Sequence, residues 1–156
     1  MKYTEFKHGD LILYLVKDGD ALCYLGNDID EMHTMFPNAL VSSDAFQIEC
    51  EQLTEYFDGK RKAFTLDLQP KGTAFQESVW NILNSIPFGT AVTYSDVAEK
   101  LGDKKKVRAV ASAIGKNPIM IITPCHRVLG KDGKLHGFRG GLAMKSTLLN
   151  HESITH

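Results

Sequence analysis

The stretch TYSDVAEKLGDKKKVRAVASAIGKNP, residues 93–118, decides how the second half of this 156-residue chain folds. Thr93 and Asp96 form a T-x-x-D capping box that opens a helix, with Tyr94, Val97, Ala98 and Leu101 on one face. GDKKK is a short turn. A second helix follows, with Val107, Val110 and Ile114 facing inward. Asn117 ends it, because a residue before proline is pushed out of the helical region. The other face carries Arg108, Ala111, Ser112 and Gly115 at i, i+3, i+4 and i+7. Two short helices around a tight turn have the spacing of a helix-turn-helix, whose second helix approaches nucleic acid. An ordinary helical hairpin with a small-residue packing face has the same spacing.

Working outward, Phe75, Val79, Leu83 and Ile86 mark a preceding helix, stopped by PFGT. LQPKGT ahead of it reads as a linker. Phe46, Cys50, Leu53 and Phe57 predict a helix that starts after Ser43 and ends at Gly59. LILYLVKDGDALCYLG reads as two strands joined at Asp18-Gly19, a dipeptide suited to a type I′ hairpin. Phe64, Leu66 and Leu68 alternate as in a half-buried strand. Downstream, the run to Ile122 suits a short buried strand or extended segment, Asp132-Gly133 a turn, and GGLAMKSTLLNHE a last helix with Leu142 and Leu149 inward. The fold class is therefore α/β of the α+β kind. Residues 1–70 form a small N-terminal α/β domain with an antiparallel sheet, and residues 71–156 a mostly helical domain with the helix-turn-helix.

Composition is that of a globular protein, 43% hydrophobic and 24% charged. No apolar run is long enough to span a membrane, and MKYTEFKHGD lacks the apolar core of a secretion signal. A cytoplasmic location with reduced thiols at Cys23, Cys50 and Cys125 is the expectation. The net charge of −1 is unevenly divided. Residues 1–70 hold 6 Lys and Arg against 13 Asp and Glu, a net −7, whereas residues 71–156 hold 12 against 6, a net +6. The basic half is the one suited to a polyanion; plain surface variation is the blander account.

In the basic half lies TPCHRVLG, residues 123–130. A thiol attacks only as thiolate, and neighbouring cations lower its pKa. Adjacent residues point to different sides, so Cys125 and His126 need a bridging water or a bend at Pro124 to be coupled. If His126 is a base, a third group should hold its other nitrogen, and Glu152 is a carboxylate available late in the chain. Lone cysteines are more often buried and inert, which fits Cys23 and Cys50. There is no C-x-x-C pair, and His8 and His33 are scattered, so no metal is expected.

TPCHRVLG, with VRAVASAIGKNP before it and GFRGGLAMK after, resembles the O6-alkylguanine-DNA alkyltransferases. The likeness runs from about GTAFQESVW to LLNHES with order and spacing kept. It implies a ribonuclease H-like N-terminal domain and direct, irreversible, single-turnover transfer of the alkyl group of O6-alkylguanine, or of O4-alkylthymine, in double-stranded DNA to Cys125. His126 would be the base through a water, with Glu152 orienting it and Asn117 bracing the turn. Tyr94 would donate to the leaving guanine. Arg108 would enter the stack where the nucleotide is flipped out, with Ala111, Ser112, Thr93 and Lys106 against the DNA in its minor groove. Tyr94, Val128, Phe138, Arg139 and Met120 would line the base pocket. The resemblance implies no cofactor and action as a monomer. Met120 replaces a frequent proline, Thr123 an apolar residue and Phe138 a frequent tyrosine. The account requires a sulfur that is ionised and accessible. A lesion-binding protein without chemistry or a DNA-binding regulator is the alternative; Cys125 argues against the first, and a chain of this length against the second.

Overall fold

The first 26 residues fold as a meander of three strands, β1 (Lys2–His8), β2 (Leu11–Asp18) and β3 (Ala21–Gly26), in a computed structural model that describes residues 1–133 and 137–156. Both connections are two-residue Gly-Asp loops, since His8 pairs with Leu11 and Asp18 with Ala21. In the second loop only Gly19 has positive φ, at 64°. A type I′ turn needs positive φ at both central residues, so the expected turn type is not formed, and the loop is Gly19-Asp20 rather than Asp18-Gly19. A short strand β4 (Leu40–Val41) adds parallel to β1, giving the order β3-β2-β1-β4. The sheet is thus antiparallel except at one edge.

Two helices join this sheet within the unit Met1–Pro70. Helix α1 (Ile29–Met35) has no counterpart in the sequence reading, although Asp28 caps it by accepting from the amides of Asp30 and Glu31. Helix α2 (Gln47–Phe57) follows a 3-10 turn at Ser43–Phe46; the turn buries Phe46 and the helix Leu53, both on the face that the periodicity predicts. The strand expected over residues 64–68 does not form. Burial does alternate there, yet among the described residues the segment makes a single bridge, Leu22 with Leu68. The Gln52 side chain explains this: its oxygen accepts from the Thr65 amide and its nitrogen donates to the Thr65 carbonyl. A side chain from α2 satisfies groups that a strand partner would otherwise take.

The unit Lys71–His156 is helical. Helix α3 (Ala74–Leu83) begins in a Thr73–Gln76 capping box and buries Val79, Trp80 and Leu83. Helix α4 (Tyr94–Leu101) begins in the Thr93–Asp96 box. Gly102 and a 3-10 turn at Lys104–Lys106 lead into α5 (Val107–Gly115). The Trp80 indole donates to the Ala113 carbonyl at 2.8 Å, tying α3 to α5. Strands β5 (Val92–Thr93) and β6 (Val128–Leu129) pair in parallel. Helix α6 (Leu142–His151) buries Met144, Lys145, Leu148 and Leu149. Leu142, expected inward, is instead half exposed at the helix's first position, and the buried stripe starts one turn later. The run to Ile122 is buried but turns instead of extending as a strand. Among the described residues no helix is long and apolar enough to cross a membrane.

Candidate active site

Cys125 opens a single 3-10 turn, Cys125–Arg127, and the chain on both sides of it is pinned. Upstream, the Asn117 side chain accepts from the Ile119 amide at 3.0 Å and donates to the carbonyls of Ile119 and Thr123 at 3.1 and 2.9 Å. These bonds replace the ladder that a strand would have supplied, which is why residues 117–124 form a turn. Ile121 is carried into positive φ, at 72°. Downstream, β6 pairs with β5, Val92 beside Val128 and Thr93 beside Leu129. That register sets Tyr94, the first residue of α4, next to the turn, and α6 brings Lys145 and its C-cap Glu152.

The thiol is covered, with 4% of Cys125 exposed. Burial pushes its pKa up; a hydrogen bond from the Asn117 side chain and then the charge of Lys145 pull it back in part. The sulfur is therefore shielded rather than accessible as expected, and its burial works against ionisation. Lys145 is itself 1% exposed and donates to the Val128 carbonyl at 2.8 Å, with its ammonium 6.0 Å from the Tyr94 ring. Burial lowers its pKa, and Cys125 opposes the shift. Tyr94 is half-buried, and burial followed by the charge of Cys125 raises its pKa.

His126 is fully buried. Its Nε2–H donates to Glu152 Oε2 at 2.6 Å, which leaves Nδ1 as the acceptor nitrogen. Nδ1 is buried without a hydrogen-bond partner among the described residues. Desolvation lowers the imidazole pKa, and the hydrogen bond and charge of Glu152 oppose it. Glu152 accepts from other donors too. Arg127 Nε donates to Oε1 at 2.8 Å and Nη2 to Oε2 at 3.1 Å, while Nη1 donates to the Ile86 carbonyl at 2.6 Å. The Gly89 amide donates to Oε1 at 3.1 Å. Gly89 has φ of 77°, so the PFGT turn needs its glycine to aim that amide.

A cavity of about 700 Å³ is walled by Tyr94, Arg108, Ala111, Phe138 and Arg139 among others, and none of Cys125, His126 and Arg127 is in its lining. Arg139 donates to the carbonyls of Lys116 and Asn117. Of the five pocket positions named from sequence, Val128 and Met120 are buried outside the cavity's lining. Ser112 is exposed on α5, Lys106 is exposed with its ammonium 5.7 Å from the Phe75 ring, and Thr93 is occupied in capping α4. Among the described residues no cluster of three or more His, Cys, Asp and Glu could hold a metal. Sequence reasoning missed Arg127 and Lys145. A lysine on the apolar face of α6, between Met144 and Leu148, was the available signal for one. The other was visible only as a cation beside the thiol.

Comparison with known proteins gives a consistent result. The family described as 6-O-methylguanine DNA methyltransferase, DNA binding domain, matches residues 74–154. The chain is 47% identical to the inducible methylated-DNA–protein-cysteine methyltransferase of Bacillus subtilis, over 92% of this chain and 85% of that one. It is 46% identical to the Methanosarcina mazei methylated-DNA–protein-cysteine methyltransferase, over 97% of each. A crystal structure of Mycobacterium tuberculosis OGT in complex with DNA superposes with a TM-score of 0.90 at 36% identity, covering 97% of this chain and 92% of that one.

Proposed function

Because the chain belongs to the O6-methylguanine-DNA methyltransferase family, we propose that it repairs DNA by moving the alkyl group of O6-alkylguanine onto the sulfur of Cys125. The observation that carries this reading is the thiol's setting. Cys125 sits in one tight turn with His126, whose Nε2 is held by Glu152 and whose Nδ1 is left as an acceptor in the buried interior. An inert core cysteine has no need of a buried, oriented imidazole beside it.

In the proposed reaction the S–C bond forms as the C–O6 bond breaks. The thiol proton passes to His126 Nδ1, directly or through a water, since the protein itself gives no direct bond between the two side chains. The leaving guanine gains one proton, from the Tyr94 phenol, and neutral guanine is a better leaving group than its anion. The proton held on His126 restores the phenol, so the balance closes without a cofactor. The product is a thioether, which thiol exchange cannot reverse, unlike a disulfide. One chain then repairs one lesion.

The reacting carbon lies inside a duplex, so the nucleotide must be turned out, at a cost of a few kcal/mol. The cavity beside Tyr94, with Arg108 and Ala111 of α5 in its wall, supports this step. In this reading Arg108 fills the place the base leaves, and α4–α5 act as a helix-turn-helix in the minor groove, with Ser112, Thr93 and Lys106 near the backbone. Phe138 and Arg139 border the base. The chemistry belongs to residues 71–156, and residues 1–70 form a separate domain. The chain acts as a monomer in the cytoplasm on O6-alkylguanine and, by the same displacement, O4-alkylthymine.

The test is a mass measurement. The protein is mixed with a duplex carrying O6-methylguanine, and intact and peptide masses are taken. Transfer predicts one added methyl group per chain, on the peptide containing Cys125, and none in Cys125→Ala. Retention of the duplex with unchanged mass would mean binding without transfer and would overturn the reading.

A further inference from the structure

Glu152 is shared. The carboxylate that orients His126 is gripped at the same time by Arg127, and the two donors meet on one oxygen, Oε2, at 2.6 and 3.1 Å. Arg127 holds the other oxygen through Nε at 2.8 Å and fixes its own third nitrogen on the Ile86 carbonyl. The Phe88 ring packs 5.8 Å from its guanidinium carbon. The fork is therefore locked, bidentate and 6% exposed. A buried carboxylate must be neutralised by something. Without the guanidinium, the imidazole would be the nearest group able to supply a positive charge, and it would do so by keeping a proton.

We propose that Arg127 is a positioning residue for the transfer reaction: by neutralising Glu152 it leaves His126 as a neutral imidazole whose Nδ1 can accept the Cys125 proton. This rests on the reading of Cys125 as the alkyl acceptor and His126 as its base. Charged and titratable groups face the imidazole from each side. Glu152 and Lys145 come from α6 and its cap, Arg127 and the Cys125 thiol from its own turn. The loop of residues 86–89 brings only backbone groups and Phe88. Burial is the largest influence lowering the imidazole pKa, Glu152 raises it, and Arg127 lowers it ahead of Lys145. Removing Arg127 thus takes away a lowering influence and leaves the raising one uncompensated. The imidazole then stays protonated to higher pH, and a protonated imidazole cannot serve as base.

The experiment is a pH profile of the single-turnover rate on a duplex containing O6-methylguanine. It uses the full chain, Arg127→Met, Arg127→Lys and the double variant Arg127→Met/Glu152→Gln, each first shown to unfold cooperatively. The unmodified protein should lose rate on the acid side as His126 gains a proton. In Arg127→Met that limb moves to higher pH, and the rate at the original midpoint falls about fivefold for the first unit of movement and about tenfold for each further unit. Arg127→Lys keeps the charge and moves the limb less. The double variant has no buried carboxylate to neutralise, so its limb moves back even where its plateau is lower. Proton NMR of the His126 ring should follow the same order. A purely structural role for Arg127 would lower the rate equally at every pH and leave the limb in place, which would overturn the proposal. Should the unmodified protein transfer at a rate with no acid limb, or His126→Gln transfer as fast, the base reading itself would fail, a result separable from the first. Arg127→Met failing to fold leaves the Lys variant and the double variant to decide the same point.

Discussion

Asn117→Ala should loosen the turn that carries Cys125, and the size of the effect can be worked out from its bonds. The side chain accepts from one buried amide and donates to two buried carbonyls, at 2.9–3.1 Å. Alanine leaves the Ile119 amide and the Ile119 and Thr123 carbonyls without those partners. An orphaned buried polar group costs about 1–3 kcal/mol, less where water can enter. Only the Ile119 amide is orphaned, because the two carbonyls keep backbone donors, the Thr123 amide at 3.2 Å and the Cys125 amide at 2.8 Å. One orphan and two lost second bonds of about 0.5–1.5 kcal/mol each amount to roughly 2–6 kcal/mol. At about 2–4 °C per kcal/mol for a chain of this size, the midpoint of thermal unfolding falls on the order of 10 °C. Chemistry suffers separately. Asn117 is the largest influence opposing the burial of the thiol, so its loss moves the Cys125 pKa further up and slows transfer even where the variant is fully folded. Calorimetry would follow unfolding, and the single-turnover rate at a temperature well below the midpoint would follow the thiol. A midpoint within about 2 °C of the unmodified protein, a shift worth under about 1 kcal/mol, would refute the hydrogen-bond accounting. An unchanged rate would refute the link to the sulfur.

Tyr94→Phe keeps the half-buried ring and removes the proposed proton donor, so transfer should slow about 100-fold with duplex affinity unchanged in a binding titration; a full rate would remove Tyr94 from the chemistry. Arg108→Ala alters an exposed residue and should leave the unfolding midpoint alone while slowing transfer in duplex more than in single strands; equal slowing in both would count against insertion into the stack. Thr93→Ala removes the oxygen that accepts from the Asp96 amide, which should lower stability by about 1 kcal/mol in denaturant unfolding. Acid should weaken the fold in a defined window. His126 has its pKa lowered in the folded protein, so below about 6.5 the unfolded chain binds a proton that the folded one resists. Stability therefore falls as pH drops through that value, and His126→Gln should flatten this part of the unfolding profile against pH.

Local signals and distant ones were not equally readable. The Thr93–Asp96 box lies within four residues and acts through its own backbone, so sequence sufficed to place the start of α4. The segment 64–68 carries a strand's alternation, and its fate was set by Gln52, whose reach toward Thr65 nothing in the local pattern announces. The same holds at the site. Cys125, His126, Asn117, Tyr94 and Glu152 lie together, and their choice came from the motif around Cys125, since spacing alone could not place Glu152. Arg127 stood next to them in the sequence, yet its partners are Glu152 and a backbone carbonyl 41 residues upstream. Lys145 was hidden for the opposite reason. Its position on a helix face reads as solvent-facing charge until the fold buries it against Val128 and Tyr94. Thiol burial was the deepest miss, because adjacency to His and Arg predicts activation while desolvation, set only by the fold, works against it.

That opposition makes sense for a thiol meant to react once. A left-handed conformation at a β-branched residue costs about 1–3 kcal/mol, and Ile121 adopts one four residues before Cys125. It can be held only because Asn117 grips the backbone at Ile119 and at Thr123, on either side of it. On the far side, the β5–β6 pairing and the Lys145 bond to the Val128 carbonyl fix where the turn ends. A helix or a strand could not place a sulfur, an imidazole and a guanidinium in consecutive positions and still direct the last two to one carboxylate. The 3-10 turn does. The turn keeps the thiol covered, burial works against its ionisation, and Nδ1 of His126 lies buried in the same turn as an acceptor. In the proposed reaction selectivity would come from delivery, since the solvent scarcely touches the sulfur.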